Sequence, residues 1–183
     1  MEILLILIIM ALLLLLQGFF SGSEIALVHA DKLNLRDRAN KGHAGSKLLL
    51  KLYQKPEVLL GTTLVGTNLS VVALTTLGTL LIIRLVGDHG ELLAFLLYTP
   101  LFLILGEVVP KSVYQQKADS LAPIVVYPLR FFSILFYPVV FVFSRIARLV
   151  ANRVGAQSPT NTLFAKREQV RTVLEMTENV ANV

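Results

Sequence analysis

At 183 residues, 55% hydrophobic and only 16% charged, with a mean hydropathy of +0.70, the chain is too apolar for an ordinary soluble domain. It has no cysteine, which excludes disulfides, thiolate metal sites and cysteine catalysis; no tryptophan and three histidines leave little for haem, zinc or triad chemistry. The net charge of +5 then concerns topology and anionic lipid, and no nucleic-acid partner is expected.

The first apolar segment runs from Ile3 to Val28 and is interrupted by Gln17, Gly18, Ser21, Gly22, Ser23 and Glu24. It lacks the basic leader and the A-x-A-like cleavage site of a signal peptide, so a retained spanning helix is expected. Asp31 to Glu57 forms a basic connection: Lys32, Arg36, Arg38, Lys41, Lys47, Lys51 and Lys55 oppose Asp31, Asp37 and Glu57. A second span covers Val58–Val86 and carries Asn68, Ser70, threonines and glycines. The turn Gly87-Asp88-His89-Gly90-Glu91 has two acids and no Lys or Arg. A third span, Leu92–Val113, is broken by Pro100, Gly106, Glu107 and Pro110. The positive-inside rule places the basic connection in the cytoplasm and the short turn outside. A multi-pass inner-membrane protein follows, with its N-terminus outside and its C-terminus cytoplasmic.

Leu121–Val150 is divided by Pro123, Pro128, Arg130 and Pro138, and its uninterrupted apolar run, Phe131–Phe143, is too short to cross. Its concentration of Phe and Tyr suits headgroup depth, and Arg145, Arg148 and Arg153 favour the cytoplasmic leaflet. Broken juxtamembrane helices are expected here, with a fourth span as the alternative. Ser158-Pro159-Thr160-Asn161 reads as a linker, and Phe164–Thr177 as a C-terminal amphipathic helix. The expected fold is therefore an all-α membrane protein: a three-span core over 1–118, juxtamembrane helices over 119–156, and a linker with the start of a cytosolic helical region over 157–183.

Polar groups inside apolar spans are costly and need a reason. At ~1.5 Å per residue, Ser21 lies about 27 Å from the outer start of its span, Asn68 about 15 Å from its inner start and Glu107 about 24 Å from its outer start. In a core of about 30 Å, all three fall between the midplane and the cytoplasmic side. Serine hydroxyls, an amide and one carboxylate make a hard-oxygen set suited to Mg²⁺, Ca²⁺, Na⁺ or Mn²⁺. Gly22, Gly66 and Gly106 allow close backbone approach, and Pro110 withholds a backbone donor, so carbonyl oxygens are freed beside these residues. Structural roles compete with this reading: helix packing for Ser70, Thr75, Gly78 and Thr79, an interhelical hydrogen bond for Asn68, pairing of Glu24 with Lys32 or Lys111, and an ion pair between Glu107 and Lys111.

Phe19-Phe20-Ser21-Gly22-Ser23-Glu24-Ile25-Ala26, Gly61-Thr62-Thr63-Leu64 with Asn68, and Gly106-Glu107-Val108-Val109-Pro110-Lys111 resemble, in this order, three signatures of the cyclin M / CorC cation-transporter family. The resemblance implies a homodimer of three-span domains with a helical belt, which exports Mg²⁺ with Na⁺ entry as the coupling. It also implies that Ser21, Ser23, Asn68 and Glu107 surround the ion, with carbonyls of Gly66 and Gly106 nearby and Gly22, Glu24, Ser70, Pro110 and Lys111 in support. The family continues into cytosolic CBS modules that bind adenine nucleotide, a part this chain does not contain. The alternative function is a membrane anchor whose polar clusters only hold a dimer together. With no nucleophile–base pair, Walker loop or Rossmann fingerprint, an enzyme is not expected.

Overall fold

The computed structural model describes residues 1–87, 89–142 and 145. All regular structure among them is helical. The chain divides into two units, residues 1–140 and 141–183, and the site lies in the first. The linker, the helix expected at Phe164–Thr177, Arg148 and Arg153 lie outside the described residues.

α1 spans Glu2–His29 and α4 spans Pro56–Val86, two long helices that pack side by side. α4 starts at a proline in its first turn, where a missing N–H costs nothing, and stops at Gly87, whose φ of +87° only glycine adopts cheaply. Between them the basic connection is not a loop. It folds into α2, Lys32–Asn40, and α3, Ala44–Leu52, joined through Gly42 at φ +95°. Asp31 caps α2 by accepting the Leu33 N–H at 2.9 Å.

The third span is built in three pieces: α5, Gly90–Leu103; a π-helical turn, Ile104–Val108; and α6, Val109–Gln116. Proline at 110 has no N–H to offer the turn behind it, and the backbone there widens so that the Val109 N–H reaches the Ile104 carbonyl. α7 follows at Ala118–Leu135.

Four helical segments, rather than the expected three, are long and apolar enough to cross a bilayer: Glu2–His29, Pro56–Val86, Gly90–Gln116 and Ala118–Leu135. The fourth is unbroken where broken helices were expected. Pro123 and Pro128 are accommodated inside α7, and the interruption comes at Phe136, two residues before Pro138. Residues 137–142 are helical again.

Two cores show where α7 runs. One, at the far half of the bundle, joins Met10, Leu74, Leu81 and Phe102 and contains no residue of α7. The other joins Phe20, Leu27, Leu35, Leu49, Leu59, Ala122, Val126 and Leu129 at the half nearer the basic connection. The Phe132 and Phe136 rings both pack on Phe20, at 4.8 and 6.1 Å between centroids, and Val140 then closes on Gly61. The chain thus rises along the basic half of α1, turns at Phe136 and comes back toward the start of α4. The outward faces of the long helices carry exposed Leu4, Leu12, Leu15, Val72, Leu80, Leu92, Phe95 and Leu96, as lipid requires.

Candidate cation-binding site

α1 changes character at Gln17. Above it the helix is apolar on every side; from Gln17 to Ser23 it presents small and polar residues that the π turn and α6 approach closely. A Cβ on Gly106 would stand 2.5 Å from the Gln17 amide, and one on Gly22 would stand 2.7 Å from the Tyr114 ring. Gly18 packs on the Pro110 ring in the same way, so α1 and the third span mesh at three successive levels. On the other side of α1, Phe20 lies flat against Gly66 of α4.

Ser21, on this face of α1, and Ser23, on another, are both fully buried, and neither hydroxyl has a hydrogen-bond partner. The contrast with α4 is informative. There Thr62, Ser70, Thr75 and Thr76 each turn the hydroxyl back onto the carbonyl four residues earlier, at 2.6–2.9 Å. That route is the ordinary way for a helix hydroxyl to avoid the cost of burial, and Ser21 and Ser23 do not take it.

Glu107 sits in the π turn and pairs with Lys111, Nζ to Oε1 at 2.5 Å, both side chains about one-third exposed (34%). The alternative partner expected from the sequence is therefore engaged. Asn68 lies on the outward face of α4, where its amide donates to the Leu64 carbonyl at 2.8 Å. Ser70 donates to the Gly66 carbonyl. Glu24 is half-buried.

The structure thus brings Ser21, Gly22, Gly106 and Pro110 to one seam, with Ser23, Gly66, Glu107 and Lys111 on the elements that form it. It sets Asn68 apart from that seam within one protomer. No group of three or more His, Asp or Glu side chains suited to a metal occurs among the described residues, so any cation must rely on hydroxyl, amide and carbonyl oxygens with at most one or two carboxylates. Gln17, which interrupts the first span, and Thr67, beside Asn68, are not among the candidate ligands read from the sequence. Gln17 is 2% exposed, its Oε1 unpartnered, and the Thr67 Oγ1 is buried and unpartnered too. The available signal was a polar side chain in an apolar run; what faces it is visible only in the packing.

The model of the cyclin M transmembrane N-terminal domain matches residues 7–181. The chain belongs to this family. It is 29% identical over 167 residues to the UPF0053 protein of Haemophilus influenzae, covering 91% of this chain and 40% of that protein. The UPF0053 inner membrane protein YfjD of Escherichia coli is 29% identical over 163 residues, 87% of this chain and 37% of the relative. A putative DUF21 domain-containing protein of Arabidopsis thaliana, described as chloroplastic, is 34% identical over 131 residues, 72% and 20% respectively. The chain spans about two-fifths of the length of the two bacterial relatives. It is the multi-pass membrane domain of a cyclin M protein, and all three motifs fall inside the matched region.

Proposed function

We propose that this cyclin M domain carries divalent cations across the membrane, exporting Mg²⁺ at the expense of Na⁺ entry, as a homodimer with its C-terminus in the cytoplasm. The observation that carries the reading is that the hydroxyls of Ser21 and Ser23 are fully buried on α1 without partners, Ser21 on the face that meets the π turn and α6. Such groups are costly unless something satisfies them, and a hard cation satisfies several at once. Glu107 supplies the negative charge. In the ion-free protein Lys111 neutralises it; an arriving dication replaces the ammonium, whose long stem lets it withdraw toward the headgroups. Asn68, on the outward face of α4, joins the ion from a rearranged helix or from across the dimer.

The Glu107–Lys111 pair also favours a second reading, a membrane anchor in which the pair only stabilises the third span. Glu107→Gln separates the two, because it keeps the shape and one oxygen but removes the charge. On the carrier reading, reconstituted protein loses most Mg²⁺ flux and binds Mg²⁺ at least ten-fold more weakly, about 1.4 kcal/mol, while thermal stability and dimer mass stay near wild type. Lys111→Met removes the competitor and tightens Mg²⁺. On the anchor reading Glu107→Gln is neutral and Lys111→Met is the more damaging change. Wild-type Mg²⁺ affinity in a well-folded Glu107→Gln protein would end the assignment of this carboxylate to the ion.

A further inference from the structure

We propose that the membrane surface beside α3 and α7 holds anionic phospholipid, whose headgroup phosphates are taken by Lys47, Lys51, Lys55 and Arg130. The basic residues of the connection fall into two sets. Lys41 pairs with Asp37 at 2.6 Å, Arg38 donates to the Asp119 carbonyl, and Lys32 and Arg36 are also engaged within the protein. Lys47 and Lys51 stand one turn apart on α3, and Lys55 follows at the entry to α4. All three are exposed, and no described residue hydrogen-bonds or pairs with their side chains. The side chain of Arg130 on α7 is in the same state. The nearest acid along the chain, Glu57, lies in the first turn of α4, where the helix N-terminus favours it.

Two contacts set the depth of α3. At its C-terminal end the Tyr53 hydroxyl donates to the Leu27 carbonyl at 2.6 Å, where the first apolar run gives out. Leu49 packs in one core with Leu27, Leu59 and Leu129. The three lysines are thereby held where α1 leaves the bilayer and α4 enters it, at the level of the headgroups. Arg130 follows Leu129 of that same core. Its surroundings point to a lipid and not to a soluble anion: Tyr127, Phe131 and Ile134, three or four residues away on the helix, are 51%, 65% and 70% exposed. Such side chains seek acyl chains, and a guanidinium among them is costly unless its stem carries it to a phosphate. A phospholipid satisfies both. Four basic side chains without protein partners favour a lipid of net negative charge over a zwitterionic one.

The proposal stands apart from the carrier reading, since lipid retention needs no transport. Immobilised protein is equilibrated with nonionic-detergent micelles carrying equal amounts of phosphatidylglycerol and phosphatidylcholine, then washed, and the retained lipid is extracted and quantified. The wild type is expected to retain phosphatidylglycerol about ten-fold over phosphatidylcholine. The preference should shrink as NaCl rises from about 50 to about 500 mM. Lys47→Gln/Lys51→Gln/Arg130→Gln should cut the ratio to about two-fold or less. Lys32→Gln/Lys41→Gln/Arg84→Gln removes equal charge from residues engaged within the protein and should keep the preference. Equal retention of both lipids by the wild type overturns the proposal, as does a preference that survives the first triple change. An equal loss in the second variant also overturns it, because net charge alone would then be the cause. Release of phosphatidylglycerol by inorganic phosphate at about 10 mM, at constant ionic strength, would mean a soluble-anion site and end the lipid assignment. Should the first variant fail to fold, the salt series on the wild type decides, and a salt-insensitive preference would count against the four basic residues.

Discussion

A serine hydroxyl in a membrane helix has two fates here, and they predict opposite outcomes for the same mutation. Ser70 bonds the Gly66 carbonyl, so Ser70→Ala removes a satisfied local bond and should leave stability and cation binding within about 0.5 kcal/mol of wild type. Ser21 is buried without a partner, so Ser21→Ala removes an unsatisfied group. In cation-free buffer it should be neutral or stabilising by up to about 1 kcal/mol, while weakening Mg²⁺ binding by about ten-fold. Parallel thermal unfolding and calorimetric titration of the two variants check this. Equal behaviour would show that Ser21 finds a partner inside the protein. Tyr53 illustrates the satisfied extreme: its hydroxyl donates to the Leu27 carbonyl at 2.6 Å, and burial, with the charge of Asp119 second, holds it protonated far above the usual tyrosine range. Its contribution is complete at neutral pH and is lost only in strong alkali.

Among the elements, α7 is fixed at its first turn by one residue. Asp119 accepts the Asp31 N–H at 2.7 Å and the Asn34 amide at 3.1 Å, and its carbonyl takes Arg38 at 2.7 Å. These bonds tie the start of α7 to the corner where α1 gives way to α2, at the end of α1 that carries the buried serines. α3 is pressed on the same helix: the Pro123 carbonyl lies directly over Gly45, where no Cβ fits. Asp119→Ala should loosen the start of α7 at a cost of about 1–2 kcal/mol, spread over the two exposed carboxylate bonds, while the carbonyl that takes Arg38 stays. Faster amide exchange across residues 118–126, with exchange in α4 unchanged, is the expected signature. Unaltered protection there would mean that apolar packing by Ala122, Val126 and Leu129 holds α7 without the carboxylate.

On the scale of the whole molecule, the path of α7 decides how the chain is threaded. Its contacts end at Phe20 and Val140 returns to Gly61, so residues 137–140 lie at the half of the bundle nearer the basic connection and away from the turn near His89. Single cysteines introduced at Lys41 and at His89 of this cysteine-free chain should label from opposite faces of sealed vesicles, Lys41 from the cytoplasmic face. One placed at Tyr137 should resist the reagent applied at the His89 face. Labelling of Tyr137→Cys from that face would make α7 a full fourth crossing. The outward side of α4, with Asn68, Thr75 and Thr76 exposed amid apolar residues, is the face that a second copy would cover in the proposed dimer.

The sequence by itself determined the class of the protein and three of its crossings, because about 20 consecutive apolar residues have no stable alternative to a helix in lipid. It also marked Ser21, Ser23 and Glu107, since polar groups in such runs carry a cost that announces them. Fold elements whose stability comes from packing were not legible. The basic connection folds into α2 and α3 because Leu35 and Leu49 are buried against α7 and α1, a partner surface that lies far along the chain. α7 stays whole through two prolines because its neighbours hold it. Which oxygens meet was decided in three dimensions alone. Gly106 faces Gln17 rather than Asn68, because the π turn adds a residue to one helical turn and so resets which side of the third span looks toward α1; the Glu107–Lys111 pair, one turn apart, was legible as an alternative.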